Sequence, residues 1–432
     1  GAEVLVAESA SIGLLTPGVE SPLLSLLPPT HIVVAPESRM VPRIHDAMRI
    51  LADEGCGCDV YSAGELTVAL DAGFDRDLIS VNGVPKDPSH IERAIREGVR
   101  ITIDSVEEVA VIEHAASELG ATARVRLRLK PAMPGFTVHS DFVAEGLVPT
   151  DLAALAYKGG LSFDDVVAIG RRILAMPGVE LVGFHQHHGR HHRSTKYWRE
   201  QMRTYAAEIA RVCEALGGYR PQEIDIGGGF AIPRDPFNAV TDYTEPIQLG
   251  ALFALSKALR VLGSDRRYRA LARLVDTLVT KPNQTPAPTI EQYAEACTQT
   301  LKEELHRHGI TTDGLMLQLE PGRSLHGDTG IHLTTVTNIK RMSRPIRWTI
   351  VVVDTTEFWF TGGRYEHHLH DYVFANKPDA PMVGKADIIG RSCYGDRLMP
   401  IVPVPDVEVG DVLALLDTGA YQEVSMSNFN AM

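Results

Sequence analysis

Cysteine is scarce: five in 432 residues, an odd and sparse set. That excludes a disulfide-stapled secreted scaffold and predicts reduced thiols in a cytoplasmic setting. Cys56 and Cys58, in GCGCD, have no second pair at zinc-finger spacing, so no structural zinc is expected. No stretch approaches the roughly eighteen unbroken apolar residues that a membrane span requires, and the opening residues carry no basic-then-apolar leader pattern. Positive charge is also short. Lys and Arg number 42 against 55 Asp and Glu, a net charge of −13. This argues against nucleic acid or an anionic membrane as partner, while leaving room for a local basic pocket. No G-x-G-x-x-G follows the first strand, which lowers the expectation of a dinucleotide fold.

What is present is an ordinary globular mixture, 44% apolar and 22% charged, in a chain long enough for two or three domains. From residue 30 to about 325, short β-branched runs alternate with helical patterns. The strands read as HIVVA, CDVYS, LISVNG, RITID, RVRLRLK, VELVGFHQHH, EIDIGGG and LMLQLEPG. Capping boxes open two of the helices, at Ser105 to Glu108 and at Thr289 to Gln292. Strands and helices in this alternation predict a (β/α)8 TIM-type barrel. After Arg323 the texture changes to strands and turns (IHLTTVTNIKR, RWTIVVVDTTEFWF, ADIIGRSC, DVLALLD), predicting a C-terminal β-barrel or sandwich over 326–432. Residues 1–29 form an N-terminal segment expected to pack on that β domain, and about 243–282 reads as a helical insertion into the barrel.

In such barrels chemistry sits at the carboxyl ends of the strands. Those ends carry Glu37, Asp59 and Glu65, Arg128, HQHHGRHH, GGGF and EPGR. Gly227, Gly228 and Gly229, with Gly322 beside Arg323, suit a phosphate cradle; a tight turn without a ligand is the plainer alternative. His185 and His187 share a strand face while His188 points away. With His191 or His192 they could ligate zinc, but imidazoles hydrogen-bonded against a flat ligand need no metal, and none is expected. Cys393, near Asp396, is either a reactive thiol or a packed one.

Taken in order, DVYSAGE, GFHQHHGR, EIDIGGGF, LEPGR, GRSCYGD and DTGAY resemble the alanine-racemase-like, fold-type III pyridoxal phosphate (PLP) decarboxylases, among them the diaminopimelate and ornithine enzymes. The resemblance runs from about 30 to 430. It implies a PLP-binding barrel with a C-terminal β domain, an amino-acid-like substrate, and a homodimer with active sites at its interface. Carried over by position, His187 stacks on the cofactor ring and Glu320 faces its nitrogen. Gly228, Gly229, Arg323 and Tyr421 hold the phosphate, and Asp59, Glu65 and Arg128 line the floor. Cys393, from the partner subunit, donates a proton, while His185, Arg190, His191, Tyr394 and Asp396 belong to the substrate side.

Two positions depart from the pattern. Where the family carries a lysine that bonds PLP covalently, in a motif like A-x-K-A-N, this chain reads Ala35-Pro36-Glu37-Ser38-Arg39. A carboxylate cannot form an imine, and beside a dianionic cofactor it is unfavourable unless protonated or paired. The nearest lysine in sequence, Lys86, is predicted on a different loop. Second, Tyr394 stands where relatives acting on diamino substrates carry an acidic residue, which disfavours a distal cation. Three readings follow: a decarboxylase-like enzyme with PLP held non-covalently or bonded elsewhere, a PLP-independent enzyme using Glu37 as general acid or base, and a non-catalytic homologue.

Overall fold

The computed structural model describes residues 4–6, 11–13, 40, 41, 44–84, 86–130, 159–187, 194–231, 254–279, 287–327, 330–359, 370–422, 426, 427, 429 and 430. A small sheet joins β1 (Val4–Val6) to β2 (Ser11–Gly13) and to β3 (Met40–Val41). The described residues of the N-terminal segment pair with one another and with Met40–Val41.

The barrel strands follow in chain order: β4 (Cys58–Val60), β5 (Ile79–Val81), β6 (Arg100–Ile103), β7 (Ala123–Arg128), β8 (Val179–His185), β9 (Glu223–Asp225) and β10 (Met316–Gln318). All seven are parallel, each bonded to its sequence neighbour. HIVVA, the expected first strand, lies outside the described residues, as does Glu37. Within the 243–282 insertion the described part includes a helix, Ser264–Val279.

Strand alternation sends the two faces of this sheet into different environments. Ile101, Ile103, Val125, Leu127 and Phe184 are fully buried in a core shared with the outer helices. The opposite face is polar. Arg100 pairs with Glu223 at 2.9 Å, and Arg126 pairs with Asp225 at 2.8 Å while donating to Gln318 at 2.6 Å and Thr102 at 3.1 Å. A barrel of this kind is usually filled by layers of branched apolar side chains; among the described residues, the inward face here carries a ladder of ion pairs instead. Glycine is required at Gly183, where an added Cβ would overlap the Glu223 carbonyl.

The second domain is a six-stranded sheet ordered β13-β16-β11-β12-β14-β15. Its strands are β11 (Ile331–Met342), β12 (Trp348–Val353), β13 (Tyr372–Phe374), β14 (Gly384–Ile389), β15 (Arg397–Val404) and β16 (Val412–Leu416). Val351, Val353, Phe374, Ile388 and Leu413 anchor its core. Sequence reading finds four of these strands and misses β13 and β15. Both are edges, and β15 carries Pro400 and Pro403, which an edge tolerates because its outer donors face no partner strand.

Candidate active site

The carboxyl ends of β4, β5, β8, β9 and β10 converge on Glu320. Its Oε1 accepts from His185 Nε2 at 3.1 Å and from Asn82 Nδ2 at 2.5 Å, and its Oε2 lies 3.5 Å from His187 Nδ1. Asn82 also donates to Asp59 Oδ1 at 2.5 Å. Burial pushes the Glu320 carboxyl up, but the two imidazoles outweigh it and hold the group well below the usual carboxylate range. Asp59 goes the other way. Burial, then Glu320 and Asp225, drive it well above that range against Arg126 and the Asn82 amide. One carboxyl keeps its proton so that its neighbour can stay ionised. His185, Asp225 and Glu320 could together reach one ion, but Arg126 and Asn82 already occupy two of these carboxylates.

Beside this cluster the chain turns through Gly227 to Gly229, with φ of +69° at Gly227 and +101° at Gly229. An added Cβ at Gly228 would strike the Glu320 carbonyl, so only glycine lets β9 and β10 end this close. The Gly228 N–H also points at His187 Nδ1, 3.2 Å away, so the glycine turn and Glu320 meet at the same edge of that ring. At Gly322 the corresponding Cβ would collide with the Tyr421 hydroxyl, and the Arg323 guanidinium carbon lies 5.3 Å from the Tyr421 ring centre. A backbone turn stripped of side chains, a buried arginine and a phenol make a donor set suited to a phosphate. A carboxylate kept ionised by two imidazoles suits a protonated ring nitrogen. These residues fit PLP.

Other expected positions take different places. Arg128 is buried and paired with Asp104 at 2.7 Å, and an added Cβ on Gly159 would press on its guanidinium. Glu65, expected on the floor, is exposed. Its carboxylate accepts from Tyr61 N at 2.7 Å and Ser62 N at 2.9 Å as the far half of a capping box on helix Ala63–Ala72. Asp396, expected near substrate, is 2% exposed and turned into its own loop, accepting from Thr356 Oγ1, Ser392 N and Glu357 N. It shapes the turn that presents Cys393 and Tyr394, which are both exposed. Arg190 and His191 lie outside the described residues.

The sequence motifs did not single out Asn82 or Asp225, although each stands on the inward parity of a strand that was read correctly. Lys86 also changes meaning. Its ammonium is buried against Gly83 O at 2.7 Å and the Glu108 carboxylate at 2.9 and 3.2 Å. Glu108 accepts from Asp104 N as well, so the expected capping box with Ser105 gives way to this buried network; the Thr289–Gln292 box forms as expected.

Comparison with known proteins agrees with this geometry. The family described as "Pyridoxal-dependent decarboxylase, pyridoxal binding domain" matches residues 42–260. A diaminopimelate decarboxylase from Actinosynnema pretiosum is 29% identical over 418 residues, covering 94% of this chain and 77% of that protein. One from Archaeoglobus fulgidus is 28% identical over 390 residues, covering 89% and 76%. Among solved structures, diaminopimelate decarboxylase from Methanocaldococcus jannaschii in complex with L-lysine superposes with a TM-score of 0.68 at 25% identity, over 90% of this chain and 75% of that one. With these matches, a TIM-type barrel whose strand ends fit PLP and a C-terminal β domain, the chain belongs to the pyridoxal-dependent decarboxylase family.

Proposed function

We propose that the chain is a PLP-dependent carboxy-lyase acting on an α-amino acid with a neutral or aromatic side chain, its chemistry altered at the residue that anchors the cofactor. The observation that carries this reading is Glu320: a buried carboxylate held ionised by His185 and His187 beside a glycine turn and Arg323. PLP, when bound, supplies the electron sink for loss of CO2. Glu320 would keep a proton at the ring nitrogen, and His187 would bound the ring on one side. Gly228, Gly229, Arg323 and Tyr421 would hold the phosphate. Cys393, exposed on its turn, would return a proton in the partner's site. Phe358, Tyr394 and Phe429, with ring centres 5.8 and 4.9 Å apart about Phe358, offer a partly exposed apolar surface for a homodimer. Tyr394 in place of an acid supports a substrate without a distal ammonium.

The test is retention of PLP after dialysis, read by absorbance, with CO2 release from a panel spanning leucine, phenylalanine, ornithine and meso-diaminopimelate. Retention with turnover of the neutral or aromatic members is the expected result. Protein that binds no PLP would overturn the reading.

A further inference from the structure

PLP is an aldehyde, and an amine of the protein is its ordinary covalent partner. Glu37 cannot serve. Ten lysines occur in the chain, and their places decide which could. Among the described residues, Lys196, Lys257 and Lys302 are exposed on helices of the barrel domain, while Lys340, Lys377 and Lys385 belong to the β domain. Lys86 follows a strand end, but Gly83 O and both oxygens of Glu108 take its ammonium inside a buried pair.

Lys130 differs from all of these. β7 runs on past Arg128 through Leu129, which bridges to Leu161 and donates its N–H to His185 O at 2.8 Å. Arg126 and Arg128 reach from this strand to Asp225 and Asp104, so their parity is inward, and Lys130 is the next residue of that parity. It therefore stands on the inner rim, one residue past a neighbour of His185, itself a partner of Glu320. Its Cβ lies 3.0 Å from where a Cβ on Gly160 would be, so glycine there leaves the lysine stem its room. Among the described residues no carboxylate or carbonyl takes its ammonium.

We propose that Lys130 is the amine to which this enzyme joins PLP, in place of the lysine replaced by Glu37. This deepens the reading of the chain as a PLP enzyme and rests on it. The neutral Nζ adds to the aldehyde carbon, a C=N bond forms, and the carbonyl oxygen leaves as water; nothing is oxidised or reduced. Burial, with Arg128 alongside and against the pull of Asp104, lowers the affinity of Lys130 for its proton, which favours the neutral amine.

The experiment is to load the full chain with PLP, reduce with borohydride so that any C=N becomes a stable C–N bond, digest, and locate the pyridoxyl mass. The label is expected on Lys130. Lys130→Arg should retain PLP by dialysis but lose both the label and the imine absorbance band. A label on Lys158, Lys86 or another lysine overturns the inference and leaves the proposed function standing. So does retained PLP with free-aldehyde absorbance and no label. Protein that retains no PLP fails both.

Discussion

Asn82 and Glu320, 238 positions apart in sequence, meet at 2.5 Å. The amide of one barrel strand end thereby grips the carboxylate of the last, and it holds Asp59 with the same nitrogen. This three-way junction joins two carboxyls whose affinities for a proton are driven in opposite directions, Asp59 up and Glu320 down.

Glu320→Gln keeps the shape of the side chain and removes its charge. CO2 release is expected to fall about 10²-fold or more, the scale of losing one aligned electrostatic group. PLP retention should change little, because the glycine turn, Arg323 and Tyr421 remain. Equal loss of retention and rate would assign Glu320 to binding instead.

Asp59 keeps its proton on folding, with a pKa raised above the ordinary value of about 3.9. The folded state then binds more protons than the unfolded state in the window from about pH 4 up to the raised pKa. Stability contributed by this group is full below that window and falls as pH rises through it. Asp59→Asn, a neutral isostere, should flatten this segment of a melting-temperature profile. An unchanged slope would mean that Asp59 is ionised in the fold.

Arg126→Met strands Asp225 in the barrel interior. The expected cost is about 3–5 kcal/mol, as when one partner of a buried pair is removed, read by urea unfolding. Arg76→Met, at an exposed pair 3.1 Å from Glu97, should cost less than about 1 kcal/mol. Similar costs at both sites would deny the ladder its part in stability.

Glu37→Lys places an amine at the position that the resemblance matches to the family's lysine. The borohydride label should move from Lys130 to residue 37, and CO2 release should rise by about tenfold or more. A label that stays in place with an unchanged rate would show that the two positions do not serve the same site.

On the proposed reading Tyr394 faces the substrate side chain, so Tyr394→Glu would offer a distal ammonium a carboxylate. A charge-assisted hydrogen bond is worth about 1.5–3 kcal/mol, so kcat/KM for ornithine relative to phenylalanine should rise by about tenfold or more. An unmoved ratio would remove Tyr394 from the determinants of specificity.

The barrel strands were legible because their outward residues are apolar and β-branched, and because glycine and capping residues mark each end. The turn at Gly227 to Gly229 was legible for the same reason: three glycines in a row state a backbone demand. Partners were not. Nothing within SVNG tells that Asn82 will face Glu320, since that contact joins the ends of β5 and β10, the latter at the far edge of a seven-stranded sheet. Glu65 caps its own helix, as Ser62-Ala63-Gly64-Glu65 spells, although the resemblance alone would set it on the floor of the site. Asp396 is not legible in this way: in sequence, a carboxylate in a turn looks the same whether it faces a ligand or, as here, its own loop.

The ion ladder inside the barrel bears on how the chain reaches its fold. Oil-like association can gather the outer helices against one side of the sheet early, but opposite charges gain nothing from leaving water until both members of each pair are in place. The inner face of the sheet must therefore come together as a late, long-range event, slow by the measure of contacts so distant along the chain. Substitutions at Arg100, Arg126 or Glu223 should hasten the opening of the finished molecule far more than they delay its assembly.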